Sequence, residues 1–195
     1  MTLLILGLIL FLGVHSVRIF ADDWRTRQVA RLGLMSWKGL YSVVSLLGFA
    51  LIVWGYGLAR QQPVVLWTPP VFTRHLNSLF TLLAFILIVA ANVPRNHLKA
   101  GLHHPMVLGV KLWAFGHLLA TAKLADLLLF GTFLLWAILS YRAARQRDRV
   151  QGTVYPTGTA LGTLVTLIVG VLVWAAFAFW LHAAWIGLAP FGRTL

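Results

Sequence analysis

The chain has 195 residues, of which 60% are hydrophobic and 10% are charged, and its mean hydropathy is +0.86. This composition is typical of a polytopic helical membrane protein, and a single domain over residues 1–195 accounts for the length. The chain contains no cysteine, which excludes disulfides, thiolate ligands and cysteine nucleophiles. Its formal charge of +12 does not indicate nucleic acid, because the basic residues flank apolar segments; we expect membrane lipid, and no nucleic acid, as the partner.

Six apolar segments predict an all-α fold, a bundle of six transmembrane helices. A helix needs roughly 20 residues to cross about 30 Å of hydrocarbon, and most of the segments approach that length. The fourth and fifth segments are short and nearly abut, so we expect them to form a tight helical hairpin. The predicted spans are residues 2–20, 39–59, 72–92, 106–122, 124–141 and 160–188, and the predicted connections are residues 22–38, 60–70, 94–105 and 142–156.

The basic residues predict the orientation of these helices. Six spans put both termini on the same side of the membrane, and one side collects eleven basic residues while the other has four. The positive-inside rule then makes this a multi-pass protein of the bacterial inner (plasma) membrane with both termini periplasmic. The stretch 22–38 is predicted to lie along the cytoplasmic interface as an amphipathic segment. The eleven residues are Arg18, Arg25, Arg27, Arg31, Lys38, Arg95, Lys99, Arg142, Arg145, Arg147 and Arg149, and the four are Arg60, Arg74, Lys123 and Arg193.

A row of small residues runs along the last span at four-residue spacing: Gly158, Gly162, Thr166 and Gly170. Small residues let helices approach closely in lipid, so the row predicts helix packing, with a pocket wall as the alternative. The same spacing continues to His182 and predicts that its side chain faces the interior of the bundle.

Five ionisable side chains lie inside the apolar segments: His15, Arg18, Lys111, His117 and His182. A titratable side chain in hydrocarbon is costly, so each is a functional-site hypothesis that needs a partner. Arg18 and Lys111 are close enough to helix ends for their charges to reach the headgroups. His15 and His117 are each at least a full turn from a helix end, which leaves two interpretations: a satisfied structural histidine or a ligand.

The ligand interpretation narrows the chemistry. Imidazole suits zinc, copper and iron, but a small-ion site normally needs three or four protein ligands, and the chain has only four carboxylates, all Asp. A haem needs only one or two axial ligands, so two facing histidines in a helical bundle suffice, and we predict His15 and His117 as its metal ligands. The accompanying cofactor-binding residues are predicted to be Trp113 and Phe115 at the macrocycle and Arg18, Arg31 or Lys111 at the propionates.

The predicted depths leave the pairing of these histidines open. His15 and His117 differ by roughly 10 Å along the membrane normal at 1.5 Å per residue, which helix tilt absorbs only in part. His182 or His75 is therefore the alternative partner of His117. The remaining histidines in the connection before the fourth span, His97 and His103, are predicted to be solvated and interfacial.

The residues around these candidates resemble a known family. The first helix ends Gly13-Val14-His15-Ser16 with Arg18, a basic stretch follows to Arg31, and His104-Pro105-Met106-Val107-Leu108-Gly109 leads to Leu112-Trp113-Ala114-Phe115-Gly116-His117. In this order the motifs resemble the NnrU family of membrane proteins, and the resemblance spans most of the chain. It puts His104 among the candidate cofactor-binding residues.

The resemblance implies a function in denitrification, in nitrite and nitric oxide metabolism, with membrane-bound nitrogen-oxide reductases as partners and a small apolar or gaseous ligand. The related zeta-carotene isomerase of plants and cyanobacteria uses haem b, and its ligand histidines match His15 and His117. That enzyme drives cis-to-trans isomerisation by a redox-linked change of axial ligand. Its alternative cysteine ligand stands where this chain has Ala114, so the switch lacks its cysteine here while bis-histidine binding of haem b remains open.

Other classes of function stay open as well. His104-Pro105 followed by Gly109 also resembles the cofactor-binding motif of integral-membrane isoprenylcysteine methyltransferases, although the paired glutamates of those enzymes are absent. A non-catalytic role, as an assembly partner of membrane reductases or as a structural membrane protein without a cofactor, fits the same composition. No residue is assigned a catalytic role from the sequence.

Overall fold

The computed structural model describes residues 1–191, and most of that range is helical. The all-helical prediction is confirmed there, since the described residues hold no strand beyond an isolated β-bridge between Val65 and Lys123. Arg193, which was counted for the orientation, lies outside the described residues. The helices are α1 (Thr2–Phe20), α2 (Asp22–Leu32), α3 (Leu34–Ala59), α4 (Phe72–Asn92), α5 (His97–Leu102), α6 (Pro105–Ala120), α7 (Leu124–Gln151), α8 (Ala160–Ala176) and α9 (His182–Ile186), with a π-helical turn Phe177–Leu181 before the last.

Five of the described helical segments are long and apolar enough to cross a membrane: α1, α3, α4, α7 and the continuous run from α8 through α9. The sixth predicted span, α6, is apolar but has only 16 residues. That is about 24 Å of helix against about 30 Å of hydrocarbon. The structure therefore supports a helical membrane protein with five candidate spans, and the count of six is not confirmed.

The predicted boundaries are confirmed at both ends of α1 and α4, at the end of α3 and at the starts of α7 and α8, and the other helix ends differ from the prediction. Residues 142–151, predicted as part of a connection, continue α7 because they are rich in Arg, Ala and Gln and contain neither Pro nor Gly. Within the predicted connection 94–105, residues 97–102 form α5. The side chain of Asn96 caps this short helix by accepting a hydrogen bond from the backbone N–H of Lys99 at 2.7 Å.

The chain folds into two compact units that interleave in sequence. Unit 1 comprises Met1–Thr68 and Thr121–Ala143, and unit 2 comprises Pro69–Ala120 and the chain from Ala144 onward. Unit 1 therefore holds His15, and unit 2 holds His117.

In unit 1, α1 and α3 pack through glycines. A Cβ atom on Gly7 would lie 2.6 Å from the backbone nitrogen of Ile52, and one on Gly48 would lie 2.7 Å from that of Phe11. Gly55 meets the backbone of α1 in the same way. Because a backbone cannot move aside as a side chain can, these glycines allow the close approach of the two helices.

A buried carboxylate joins the end of α3 to the start of α7 within unit 1. Asp126, 7% exposed, accepts a hydrogen bond from the Tyr56 hydroxyl at 2.6 Å and another from the Thr121 hydroxyl. Its place in the first turn of α7 also puts it at the positive end of the helix dipole. Neutral hydroxyls and the helix terminus together stabilise this carboxylate as a structural anchor.

In unit 2, α4 packs against α6 and α8, and the predicted row of small residues is confirmed as packing. A Cβ atom on Gly170 would lie 2.8 Å from the Cα of Ile86, and one on Gly162 would lie 2.6 Å from the carbonyl oxygen of Arg95. Thr166, between them, is fully buried.

The four-residue spacing does not extend to His182. The π-helical turn after α8 widens the helix and shifts the register of the residues that follow. Trp174, before that turn, still faces α4 and donates its indole N–H to Thr81 Oγ1 at 3.2 Å. His182, after it, instead donates Nδ1–H to the carbonyl oxygen of Leu188 at 2.6 Å.

Candidate functional site

His15 lies in the second half of α1, among aromatic side chains of unit 1. Its Nδ1 is 2.6 Å from the carbonyl oxygen of Phe11, and because a carbonyl can only accept, Nδ1 carries the proton. The lone pair of the neutral ring is then on Nε2, the tautomer of a metal-ligating histidine whose other nitrogen is held by a backbone oxygen. The rings of Phe11, Tyr41 and Trp136 have centroids 4.2, 5.2 and 6.1 Å from that of the imidazole.

His117, in unit 2, shows the same arrangement. Its Nδ1 is 2.8 Å from the carbonyl oxygen of Trp113, one turn earlier in α6, and the two ring centroids are 5.4 Å apart. The lone pair of the neutral His117 ring is again on Nε2. The two histidines thus share one tautomer although they stand on different helices.

A buried polar atom without a hydrogen-bond partner lies near His15 in the described part of unit 1. It is the indole Nε1 of Trp136, whose ring meets His15 edge-on. Buried polar atoms nearly always have a partner, so this N–H calls for a further polar group.

Another such atom, Oδ1 of Asn77, lies in unit 2. It faces Gly116, the residue before His117 in α6, since a Cβ atom on that glycine would be 2.7 Å from it.

The predicted propionate partners differ in surroundings. Arg18 Nε lies 3.7 Å from Asp22 Oδ1, and its side chain is 58% exposed. Arg31 is exposed in the last turn of α2, and Lys111 is half-buried in α6. Unit 1 thus holds the two arginines together with His15, and unit 2 holds the lysine together with His117.

His104 lies in a dense polar cluster of unit 2 at the turn between α5 and α6. Its Nε2 donates to Asp148 Oδ2 at 2.8 Å, and the same oxygen is 3.3 Å from Nη1 of Arg145 and 3.1 Å from the hydroxyl of Tyr155. Arg145 also donates to Nδ1 of His103. We call these five residues the His–Asp cluster.

The backbone at the centre of this turn is strained. His103 has φ 69° and ψ −52°, and the N–H of His104 donates to the carbonyl oxygen of Leu102 at 2.8 Å, which defines a γ-turn with a positive central φ. Such a conformation costs about 1–3 kcal/mol in a residue other than glycine. The strain brings the two adjacent histidines onto Asp148 and Arg145.

The sequence prediction missed the His–Asp cluster. His103 was predicted to be solvated, but its ring centroid lies 4.3 Å from that of Tyr155 and its Nδ1 accepts from Arg145. His97, for which the same prediction was made, is exposed, and its Nδ1 lies 2.7 Å from Thr163 Oγ1. The sequence feature that could have indicated this cluster is Asp148, a single carboxylate among the four arginines of residues 142–149.

Two further histidines, His182 and His75, were considered as alternative ligands. His182 shares the carbonyl-bonded tautomer of His15 and His117, and His75 is exposed in the first turn of α4. The described residues contain no group of three or more His, Cys, Asp or Glu side chains arranged to hold a metal ion. What distinguishes His15 is the unpaired indole N–H of Trp136 beside it, and what distinguishes His117 is its place after Gly116, which faces the unpaired Oδ1 of Asn77.

Five candidate spans and an all-helical fold define an integral membrane protein of the helical type. The family model described as NnrU protein matches residues 3–190, nearly the whole chain. The chain therefore belongs to the NnrU family, as the motifs around His15 and His117 predicted. No curated protein and no solved structure matches it significantly.

Proposed function

We propose that this protein binds haem b, with His15 and His117 as axial ligands, and supports nitrite and nitric oxide metabolism in the inner membrane of a denitrifying bacterium. In this proposal α6 crosses the membrane as a sixth span, both termini are periplasmic, and membrane lipid surrounds the helices. The observation that carries it is that both rings are fixed in one tautomer by their own helix, with an aromatic ring beside each. Each histidine gives Nδ1–H to the carbonyl oxygen four residues before it, so each ring keeps its lone pair on Nε2.

The surrounding residues fit such a group. Two imidazoles fill both axial positions of a haem without any further protein ligand. The hydrogen bond from Nδ1–H to a carbonyl fixes the ring and makes Nε2 more basic. Trp136 Nε1 and Asn77 Oδ1 are buried polar atoms without a protein partner in the described residues, and the rings beside the histidines supply apolar contact.

A bound haem supplies reversible one-electron chemistry. In this proposal His15 and His117 would hold the haem, and Arg18, Arg31 or Lys111 would pair with its propionates. A haem held by two histidines would favour electron transfer in support of a membrane-bound reductase over binding of substrate at iron. Ala114 is fully buried and offers no thiol, so we do not propose the ligand exchange of the carotene isomerase.

Absorption spectroscopy tests the proposal on protein purified in detergent from haem-replete cells. We expect a Soret band with split α and β bands on reduction, and a loss of haem occupancy of at least about tenfold in His15→Ala and in His117→Ala. His97→Ala is the matched control, because this exposed histidine is no ligand candidate and should leave the spectrum unchanged. A folded, colourless wild-type protein would overturn the proposal. Loss of the band in His182→Ala but not in His15→Ala would assign His182, in place of His15, as the second ligand.

The proposed reductase partner has a separate test. Cross-linking in membranes of cells grown under denitrifying conditions should capture a nitrogen-oxide reductase with the tagged protein. Recovery of the reductase at the level given by an unrelated tagged membrane protein would argue against this partner while leaving the haem untouched.

A further inference from the structure

The short helix α2 and the start of α3 carry a second inference, which does not depend on haem binding. We propose that Arg27, Arg31 and Lys38, together with the apolar side chains between them, form a binding site for an anionic phospholipid. We call these three basic residues the basic patch. Arg27 and Lys38 have no part in the haem proposal, and Arg31 is one of three alternatives there for the propionates.

Helix α2 is held at the membrane surface by its connections. It has 11 residues, about 16 Å, which is too short to cross about 30 Å of hydrocarbon. Single residues, Ala21 and Gly33, join it to α1 and α3, and both of those helices are candidate spans. Because each joint is one residue long, α2 lies at the depth where α1 ends and α3 begins.

Two tryptophans also favour a place among the lipid headgroups. The rings of Trp24 on α2 and Trp37 on α3 meet edge-on, with their centroids 5.8 Å apart. Tryptophan is enriched at membrane–water interfaces because its ring is apolar while its N–H needs a polar partner. Helix α3 has 26 residues, about 39 Å, which is more than the hydrocarbon thickness, so its first residues extend into the headgroup region.

The charges of α2 are divided along its length. Both acids, Asp22 and Asp23, stand in its first turn, and Asp22 already lies 3.7 Å from Arg18. Arg27 and Arg31 follow four residues apart, which puts them on the same face of the helix, and both are exposed. Two like charges at this spacing disfavour a helix, so an anion bound between them would stabilise α2.

The charges of the basic patch are not neutralised by the protein. Within residues 1–191, Arg27, Arg31 and Lys38 have no hydrogen bond or ion pair with another side chain. Asp23 stands one turn before Arg27 but forms no ion pair with it. Arg145 of the His–Asp cluster differs, because its guanidinium lies on a carboxylate. The basic patch therefore has its positive charge available for an anion from outside the chain.

Exposed apolar side chains between Arg31 and Lys38 favour a lipid over a soluble anion. Leu32, Leu34 and Met35 are 49%, 50% and 79% exposed. A soluble anion would leave these side chains in water. A phospholipid matches both kinds of residue, because its phosphate pairs with the bases while its acyl chains cover the apolar side chains.

The balance of charge favours an anionic lipid over a zwitterionic one. Residues 18–38 hold five basic and two acidic side chains, a net charge of +3. Clusters of four to eight Lys or Arg next to a span are typical of sites for anionic lipids. A zwitterionic headgroup brings its own cation toward the arginines, whereas the headgroup of phosphatidylglycerol carries a negative charge alone. Phosphatidylglycerol is therefore the probe that fits the basic patch.

Native mass spectrometry of the whole protein in detergent provides the test, by titration with phosphatidylglycerol or with phosphatidylcholine of the same acyl chains. We expect the wild-type protein to bind phosphatidylglycerol at least about tenfold more tightly than phosphatidylcholine. Arg27→Gln/Lys38→Gln should weaken phosphatidylglycerol binding about tenfold and leave phosphatidylcholine binding unchanged. The wild-type preference should also fall as the salt concentration rises, because exposed charges are screened.

Arg142→Gln/Arg149→Gln is the matched control. It removes two exposed arginines of α7 that were predicted for the same side of the membrane, so the change in net charge is the same. This variant should keep the wild-type preference for phosphatidylglycerol. Equal losses in the two double variants would mean that the lipid responds only to the overall charge of the protein, and would overturn the proposed site.

Two further results would overturn the proposal. One is equal affinity of the wild-type protein for the two lipids. The other is competition by glycerol 1-phosphate, which has the headgroup phosphate without acyl chains, at the concentration at which the lipid itself binds; the occupant would then be a soluble anion. If Arg27→Gln/Lys38→Gln does not fold, these two wild-type measurements decide alone. The result is separable from the haem proposal, because haem-free protein should show the same preference.

Discussion

The histidines of this protein fall into two groups that differ in what holds them. His15 and His117, inside apolar helices, give Nδ1–H to a carbonyl of their own helix and have aromatic rings beside them. His103 and His104, at the turn before α6, are held by the side chains of Arg145 and Asp148. A backbone partner fixes a neutral imidazole with a lone pair for a metal, whereas charged partners suit an imidazole that gains and loses protons.

The largest expected effect is the loss of bound haem when a ligand histidine is removed, together with its recovery when free imidazole is added. His117→Gly should lower haem occupancy by at least about tenfold, and millimolar imidazole added during reconstitution should restore the Soret band because it replaces the deleted ring. His104→Gly, the matched variant from the turn, should keep its haem without imidazole. Haem loss in His104→Gly with none in His117→Gly would reverse the assignment.

Gly116→Ala tests whether packing positions His117. The new Cβ would meet Asn77 Oδ1 at 2.7 Å and Phe80 Cβ at 2.8 Å, so we expect a loss of about 1–3 kcal/mol in the free energy of unfolding, together with weaker haem binding. Gly101→Ala, in α5, has open space around it and is the control; it should be neutral or slightly stabilising. Equal thermal stability of both variants in detergent would contradict the close packing of α6.

Asp148→Asn tests the charged partner of the turn histidines. The Asp148 side chain is only 12% exposed and accepts from three neighbours, so we expect a loss of about 1–2 kcal/mol in unfolding free energy with an unchanged haem spectrum. Asp23→Asn, on the exposed surface of α2, should change neither. A shifted Soret band in Asp148→Asn would show that the two groups of histidines are coupled.

Trp136→Phe is expected to give the smallest effect, and its sign is informative. The change keeps an aromatic ring near His15 but removes a buried N–H that has no partner, so the haem-free protein should gain up to about 1 kcal/mol in stability. Haem binding should weaken several-fold if that N–H serves the cofactor. Trp54→Phe, an exposed position of α3, is the control. Unchanged haem affinity would remove Trp136 from the proposed site.

The sequence predicted those parts of the fold that depend on local hydropathy. The bounds of α1 and α4 and the small-residue row that leads into α8 follow from patterns within single segments, and the NnrU membership follows from short motifs taken in chain order. The glycine contacts of unit 1 were not predicted, because Gly7 stands on α1 while Gly48 and Gly55 stand on α3, and neither helix alone shows the pairing.

The candidate site was predicted only in its residue types. His15 and His117 could be named because an imidazole in an apolar segment is unusual, but their tautomers depend on where the carbonyls of Phe11 and Trp113 lie. The His–Asp cluster joins His104 to a carboxylate 44 residues away, and no pattern of spacing predicts such a contact.

Electron paramagnetic resonance of the oxidised, detergent-purified protein is the most direct test of bis-histidine haem. The account predicts a low-spin ferric signal typical of two imidazole ligands, which becomes high-spin or disappears in both His15→Ala and His117→Ala. A folded protein from haem-replete cells without any ferric haem signal, or a wild-type signal that both variants leave unchanged, would contradict it.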